Sequence, residues 1–132
     1  MPFTQIFLLR GKPPAYLQAI SDGLHQALVE AFEVPPDDRF QAIHQHERGE
    51  FVFDRCYLGG PRSDNFLLVA VTAGRARPAD TKRAFYRRLV ERLAESPGIA
   101  AHDVMIVVGT TGAEDWSFSV GRMTMIEGAR PC

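Results

Sequence analysis

One structural pattern occurs twice in this chain, 65 residues apart, and this repeat constrains the fold more than any other feature. Pro13 and Pro78 each follow an apolar run and a basic turn, and both precede an amphipathic segment. Asp38 and Asp103 stand at the same interval, and each precedes a further apolar run. Self-similarity at a fixed period indicates a duplicated supersecondary unit. Each unit is predicted to be strand, turn, helix and strand.

The predicted strands cover residues 3–9, 40–46, 66–72 and 104–110, with helices beginning at the two prolines. A right-handed crossover makes the two strands of each βαβ unit parallel. We therefore expect a single α/β (α+β) domain over residues 1–132, with a four-stranded mixed sheet and two helices on one face. The pseudo-repeats span about residues 2–47 and 65–110, and a tail follows at 111–132.

The strands that open the two units are apolar on both faces, as the run 66–71 shows. Such a pattern is typical of a strand that is buried on both sides. Two helices can cover only one face of a four-stranded sheet, so something else must cover the other. A second copy of the chain is the simplest candidate, which predicts a homo-oligomer.

Composition excludes several other classes of protein. The chain has 132 residues, is 45% hydrophobic and carries a formal net charge of −1, which gives no bulk attraction to nucleic acid or to an anionic membrane. The arginine-rich stretch 82–92 has helical spacing and is interpreted as a solvated helix face. Cys56 and Cys132 lack metal or disulfide spacing, and no signal peptide is evident, so a cytoplasmic protein is expected.

Pro2 follows the initiator Met1 directly and stands at the start of the first apolar strand. A small second residue permits removal of Met1, which leaves a secondary amine at the amino terminus. An α-amino group has a reference pKa of about 7.7–8.0, and proton transfer is most efficient when the pKa of the catalyst lies near the working pH. Pro2 is therefore a candidate acid or base; the alternative is a frayed end without a role.

Arg75 and Arg77 follow the second buried strand, in a turn that contains Gly74. Two guanidiniums at the carboxyl end of a strand can bind a carboxylate through charge-assisted hydrogen bonds. The alternative is a basic loop that is solvated by water. The equivalent turn of the first unit carries Arg10 and Lys12, so a basic turn alone does not identify a site.

Three further candidates have both a functional and a structural interpretation. Asp38, after two prolines, can orient a water or hold an ammonium group, or it can cap a turn. His44 and His46 would share one face of a strand, but no third ligand stands at a suitable spacing, so no metal site is predicted. Trp116 is either a packing anchor or the wall of a pocket.

Short motifs along the whole chain match one family: Val34-Pro35, Asp38-Arg39, Gln41, Gln45-His46, Gly49-Glu50, Leu58-Gly59, Arg62-Ser63, Arg75-x-Arg77, Phe85-Tyr86, Gly98-Ile99, Asp103-Val104, Asp115-Trp116-Ser117-Phe118 and Gly121-Arg122. On these residues the chain resembles the tautomerase superfamily, duplicated βαβ proteins with a catalytic amino-terminal proline. Within it, the chain looks most like the malonate semialdehyde decarboxylase group. The similarity runs from Pro2 to about Gly128, and Gly74 is an insertion before the arginine pair.

The resemblance implies a cofactor-independent enzyme that acts on small oxo acids. It implies a homotrimer in which three sheets face one another as a barrel. The implied acid or base is the Pro2 nitrogen, with Asp38 as the partner of Pro2 or of a water. The implied carboxylate binders and pocket-lining residues are Arg75, Arg77, Trp116 and Phe118.

Two reactions follow from the protonation state of Pro2. A cationic Pro2 would polarise the carbonyl of a 3-oxo acid while the arginines hold its carboxylate, and carbon dioxide would leave. A neutral Pro2 would move a proton beside a carbonyl, which is keto–enol tautomerisation of a 2-oxo acid such as a phenylpyruvate-like substrate. Because the Asp38 carboxylate favours the cation, we expect decarboxylation with tautomerase or hydratase side activity. A non-catalytic ligand-binding or signalling trimer is the alternative from another class.

Overall fold

The computed structural model describes residues 1–132 and contains both βαβ units. Each of the four strands agrees with its predicted range to within one residue at either end. Pro13 and Pro78 lie one residue before their helices, at the N-cap positions. The elements are β1 (Pro2–Leu9), α1 (Pro14–Ala31), β2 (Gln41–His46), β3 (Leu67–Ala73), α2 (Ala79–Glu95), β4 (Val104–Thr110) and the short α3 (Thr124–Glu127).

The sheet has the strand order β2-β1-β3-β4. The strands of each unit are parallel, as the crossover rule predicts, and the two units meet through the antiparallel pair β1 and β3. In that pair Pro2 lies opposite Ala73. The start of β1 therefore lies beside the end of β3, and the loop that leads into the parallel β2 reaches the same end of the sheet.

Both helices pack on one face of the sheet, and the core lies between them and the strands. Every second residue of β1 and β3 points into this core because side chains alternate along a strand. Phe32, just after α1, and Phe85 of α2 contact each other with ring centroids 4.9 Å apart. The fully buried core side chains include Ile6, Ile20, Leu24, Leu67, Val69, Phe85, Leu89 and Leu93.

The opposite face of the sheet is uncovered in a single chain. Phe3 and Phe7 of β1 are only half-buried there, and Met105 and Val107 of β4 are 48% and 49% exposed. The apolar character of this face is therefore not explained by contacts within one chain. None of the helices is both long and apolar enough to cross a bilayer.

The segment that joins the two units, residues 47–64, forms neither helix nor strand. Asp64 at its end accepts hydrogen bonds from Arg48, at 2.5 Å, and from Arg55, at 2.9 Å. These two bonds favour the carboxylate form and lower the pKa of Asp64 to about 2. The ion pairs of Arg48 and Arg55 with Asp64, here called the clasp, thus join the earlier part of the segment to its last residue, just before β3.

Candidate active site

The amino terminus, the loop before β2 and the turn after β3 meet at one end of the sheet. Pro2 is buried, and the residue before it extends the β1–β3 pairing, since the Gly74 N–H donates to the Met1 carbonyl at 2.8 Å. The Met1 amino nitrogen lies 3.2 Å from Oδ2 of Asp38. Residues distant in sequence therefore meet at the amino terminus, next to Pro2.

Asp38 lies in the loop before β2, where its N–H donates to the Pro35 carbonyl at 3.0 Å. Its side chain is 11% exposed. The buried Oδ2 accepts no hydrogen bond from any side chain or from the backbone of a turn, and its one contact with a positive group is the Met1 ammonium. This carboxylate oxygen makes no turn-capping hydrogen bond, and a role of Asp38 towards Pro2 or a water stays a prediction.

Arg77 is buried, at 5% exposure, and is held rigidly. Its Nε donates to the Phe32 carbonyl at 2.9 Å, its Nη1 donates to the Arg75 carbonyl at 3.1 Å, and its guanidinium lies 4.3 Å from the centre of the Phe32 ring. The third nitrogen, Nη2, is buried without any partner. A buried donor without an acceptor is costly and rare in native proteins, so this nitrogen is available for a ligand.

Burial lowers the pKa of the Arg77 guanidinium, and the neighbouring Arg75 charge acts in the same direction. The carboxylates of Glu33 and Asp38 act in the opposite direction. Arg77 thus lies within electrostatic reach of Asp38. An anion that binds at Nη2 would relieve both the desolvation of this charge and its missing hydrogen bond.

Arg75 occupies a different position from Arg77. Its side chain is 56% exposed, and its nearest anion is Glu33, with Nη2 and Oε1 separated by 3.5 Å. The structure therefore places one arginine inside the protein and the other at the rim. The joint binding of one carboxylate by both residues stays a prediction.

An aromatic wall stands beside the amino terminus. Trp116 and Phe118 stack with ring centroids 5.5 Å apart, and Phe118 lies 5.8 Å from Phe40. The indole Nε1 of Trp116 lies 3.6 Å from the position that a Cβ at Gly74 would occupy. Trp116 and Phe118 are thus gathered at the predicted site, while their contact with a substrate stays a prediction.

Sequence reasoning missed Phe40, Glu33 and Thr111. Thr111 is the first residue after β4: its hydroxyl accepts from Trp116 Nε1 at 2.6 Å and donates to the Ala73 carbonyl at 2.7 Å. Its position directly after a strand that ends beside β3 was a signal that could have identified it. His44 and His46 lie elsewhere, stacked on Phe7 with centroids 4.7 and 6.0 Å away.

Comparisons with known proteins agree with this architecture. Two family models, each described as tautomerase enzyme, match the chain, one over residues 38–119 and the other over residues 2–56. The chain belongs to the tautomerase family, and it is an enzyme of that superfamily. It is 39% identical to the probable tautomerase YusQ of Bacillus subtilis (strain 168), over 96% of this chain and 100% of that protein.

Two solved structures show which members of the superfamily this chain resembles in structure. A malonate semialdehyde decarboxylase, known in wild-type, mutant and inactivated forms and described with decarboxylase and hydratase activities, superimposes with a TM-score of 0.89 at 34% identity, over 94% of this chain and 95% of that one. The malonate semialdehyde decarboxylase FG41, inhibited by 3-bromopropiolate, superimposes with a TM-score of 0.88 at 30% identity, over 98% and 99% of the two chains. The predicted fold and superfamily are therefore confirmed, and the chain is structurally close to these decarboxylases.

Proposed function

We propose that the chain, once Met1 has been removed, decarboxylates a small 3-oxo acid of the malonate semialdehyde type. The observation that carries this proposal is the unpartnered, buried Nη2 of Arg77, together with a carboxylate, Asp38, placed at the amino terminus. A buried cation recruits the carboxylate of a substrate, and a carboxylate beside an amine keeps that amine protonated. The likeness to two malonate semialdehyde decarboxylases supports the choice of substrate.

In the proposed reaction Arg77, assisted by Arg75 at the rim, holds the substrate carboxylate. The Pro2 ammonium, stabilised by Asp38, donates a hydrogen bond to the oxygen of the 3-oxo group. The bond between the carboxylate carbon and C2 breaks, carbon dioxide leaves, and the electron pair forms an enolate whose negative oxygen faces Pro2. Pro2 then donates its proton to C2, and solvent reprotonates Pro2. The balance is one oxo-acid carboxylate anion and one proton in, one neutral carbonyl compound and one carbon dioxide out.

Met1 is incompatible with this chemistry while it is attached. The Pro2 nitrogen is then an amide and cannot exchange a proton, and the Met1 amino group occupies the contact with Asp38. Activity is therefore expected only from the processed chain. General acid catalysis contributes roughly 10²- to 10⁴-fold, so an unprocessed sample should be at least about a hundredfold less active.

The test combines mass spectrometry of the purified protein with an assay of carbon dioxide release from 3-oxo acids. Processed protein should release carbon dioxide, and a fraction that retains Met1 should not. Equal activity in the two fractions would refute a role for the Pro2 amine. A Pro2→Ala variant is the matched control, since its amino terminus is also processed but carries a primary amine in place of the constrained secondary one.

The second candidate is keto–enol tautomerisation of a 2-oxo acid such as a phenylpyruvate-like substrate. The names of two relatives, the probable tautomerases YusQ and YrdN, favour it, the second being 34% identical over 97% of this chain. Titration of the Pro2 nitrogen by NMR separates the two reactions. A pKa well below 7 would exclude the cationic mechanism and favour tautomerisation, whereas the absence of turnover in both assays would favour a non-catalytic ligand-binding role.

We further propose that the working form is a homotrimer whose uncovered sheet faces meet. The half-exposed Met105 and Val107 support this, because exposed apolar side chains on one sheet face favour association. A fused 4-OT that shares the fold, at a TM-score of 0.78 and 20% identity, is described as a symmetric trimer. Light scattering should give three times the chain mass of 14.7 kDa.

A further inference from the structure

The backbone N–H of Gly74, which lies beside the amino terminus, has a fixed direction. The Ala73 carbonyl accepts two hydrogen bonds from Thr111, from its N–H at 2.8 Å and from its hydroxyl at 2.7 Å. The carbonyl and the N–H of one trans peptide point in opposite directions. The Gly74 N–H therefore points away from β4 and towards the amino terminus, where it donates to the Met1 carbonyl at 2.8 Å.

Removal of Met1 leaves this donor without its acceptor. The Met1 carbonyl carbon is bonded to the Pro2 nitrogen, so the carbonyl oxygen lies within about 2.3 Å of that nitrogen by standard peptide geometry. A ligand oxygen that takes the place of the Met1 oxygen, displaced outward to hydrogen-bonding distance, is reached by Pro2 and Gly74 together. An N–H that is withdrawn from water without an acceptor is unfavourable, which favours occupation of this place by an acceptor.

We propose that the Gly74 N–H is a substrate-binding group that shares the oxo oxygen of the substrate with the Pro2 ammonium. This inference rests on the proposed function, since it concerns the same oxo acid. When the carboxylate carbon separates from C2, the electron pair shifts towards the oxo oxygen, and the negative charge on that oxygen grows. A fixed backbone donor strengthens its hydrogen bond as the charge develops, and thereby lowers the barrier.

The absence of a side chain at position 74 suits this role. A Cβ on Gly74 would approach the Met1 carbonyl oxygen and the Met1 Cβ to 3.1 Å each. Space next to the donor is therefore taken up by Met1 in the unprocessed chain and becomes available to a ligand after processing. Trp116 bounds the same space, with Nε1 3.6 Å from the position of that Cβ.

The test replaces Gly74 by glycolic acid in the processed protein, which exchanges the N–H for an ester oxygen and keeps the shape of the backbone. We expect kcat for decarboxylation to fall about a hundredfold, the usual effect of deleting one donor to a developing oxyanion, with a much smaller change in KM. Glycolic acid at Gly98 is the control, because its N–H donates to the Leu93 carbonyl at 3.0 Å, far from the site. Unchanged kcat in the Gly74 ester would overturn the inference.

A second measurement does not depend on turnover. The amide proton of Gly74 in labelled, processed protein should move downfield on binding acetoacetate, a 3-oxo acid, and should not do so with butyrate, which has the same carboxylate and no oxo group. Equal responses to the two acids, or none to either, would also overturn the inference. If the Gly74 ester decarboxylates as fast as the processed protein, the inference about Gly74 fails and the proposed function stands. If the Gly74 amide shifts with acetoacetate but no turnover is seen, the proposed function fails and the inference about the Gly74 N–H stands.

Discussion

The two basic turns that open the helices look alike in sequence and differ in the folded chain. In the first turn Arg10 lies 3.0 Å from Glu47, and Lys12 donates to the side chain of Asn65. These groups border a cleft of about 450 Å³ that is lined almost entirely by polar and charged residues. In the second turn Arg77 is buried with one nitrogen unpartnered. The comparison teaches that charge alone does not single out a candidate site, whereas a buried group with an unmet hydrogen bond does.

The two aspartates that precede β2 and β4 differ in the same way. Asp103 is 2% exposed and accepts two bonds from Ser63, from its N–H at 2.7 Å and from its hydroxyl at 2.6 Å. Oδ2 of Asp38 instead lies 3.2 Å from the Met1 amino nitrogen. In the second unit the aspartate is bonded by the segment that leads into β3, whereas in the first unit it faces the amino group next to Pro2. The two aspartates of the duplicated units therefore have different partners: an amino group for Asp38, and a backbone N–H with a serine hydroxyl for Asp103.

The largest expected effect tests the contrast between the turns. Arg77→Lys keeps the charge and loses the forked geometry, including the free Nη2, so kcat/KM for a 3-oxo acid should fall about 10- to 150-fold, as expected for hydrogen bonds of about 1.5–3 kcal/mol to a charged group. Lys12→Gln, in the solvated turn, should leave kcat/KM unchanged. Comparable losses in both variants would show that the turns are equivalent after all.

The next effect separates the two aspartates. Asp38→Asn should lower kcat about tenfold or more, because a neutral amide stabilises the Pro2 cation less than a carboxylate does, and it should change unfolding free energy little. Asp103→Asn should lower the unfolding free energy by about 1–3 kcal/mol, since one of its two buried bonds to Ser63 is weakened or lost. Urea unfolding and steady-state kinetics on both variants measure the contrast. A stability loss only in Asp38→Asn would contradict the assignment of a catalytic role to Asp38 and a structural role to Asp103.

Most of the fold follows from local pattern, and this explains why it was predictable. Apolar runs, the two prolines and the interval of 65 residues depend on neighbours in sequence, and they located four strands and two helices. The topology places Pro2, Asp38 and Arg77 at one end of the sheet, and their joint role in a site is what the family resemblance implies. Side-chain contacts between elements that are distant in sequence were harder to predict.

The part that sequence could not supply depends on side-chain direction. Arg75 and Arg77 stand two residues apart, yet one pairs with Glu33 at the rim and the other packs on Phe32. Neither partner is near them in sequence. The orientation of the Gly74 N–H likewise depends on Thr111, which reaches the Ala73 carbonyl only because β4 is paired with β3. Such directions are properties of packing and not of composition.

The smallest expected effect concerns the segment that distinguishes the second unit from the first. Hydrogen bonds from Arg48 and Arg55 lower the pKa of Asp64 from its ordinary value of 3.8 to about 2. A carboxyl whose pKa is lower in the folded chain contributes stability above its unfolded pKa and loses it as pH falls. The wild-type chain should therefore lose this contribution between about pH 4 and pH 2.

Asp64→Asn removes the titrating carboxylate, so its unfolding midpoint in urea should depend less on pH over that interval, with a slightly lower midpoint at pH 7. The effect is small because Asp64 is exposed and its ion pairs are screened by solvent. Its neighbour Ser63 is the residue that satisfies Asp103, so loosening of the clasp should disturb the second unit while activity at the amino terminus persists. Identical pH profiles for the two chains would show that the clasp contributes nothing.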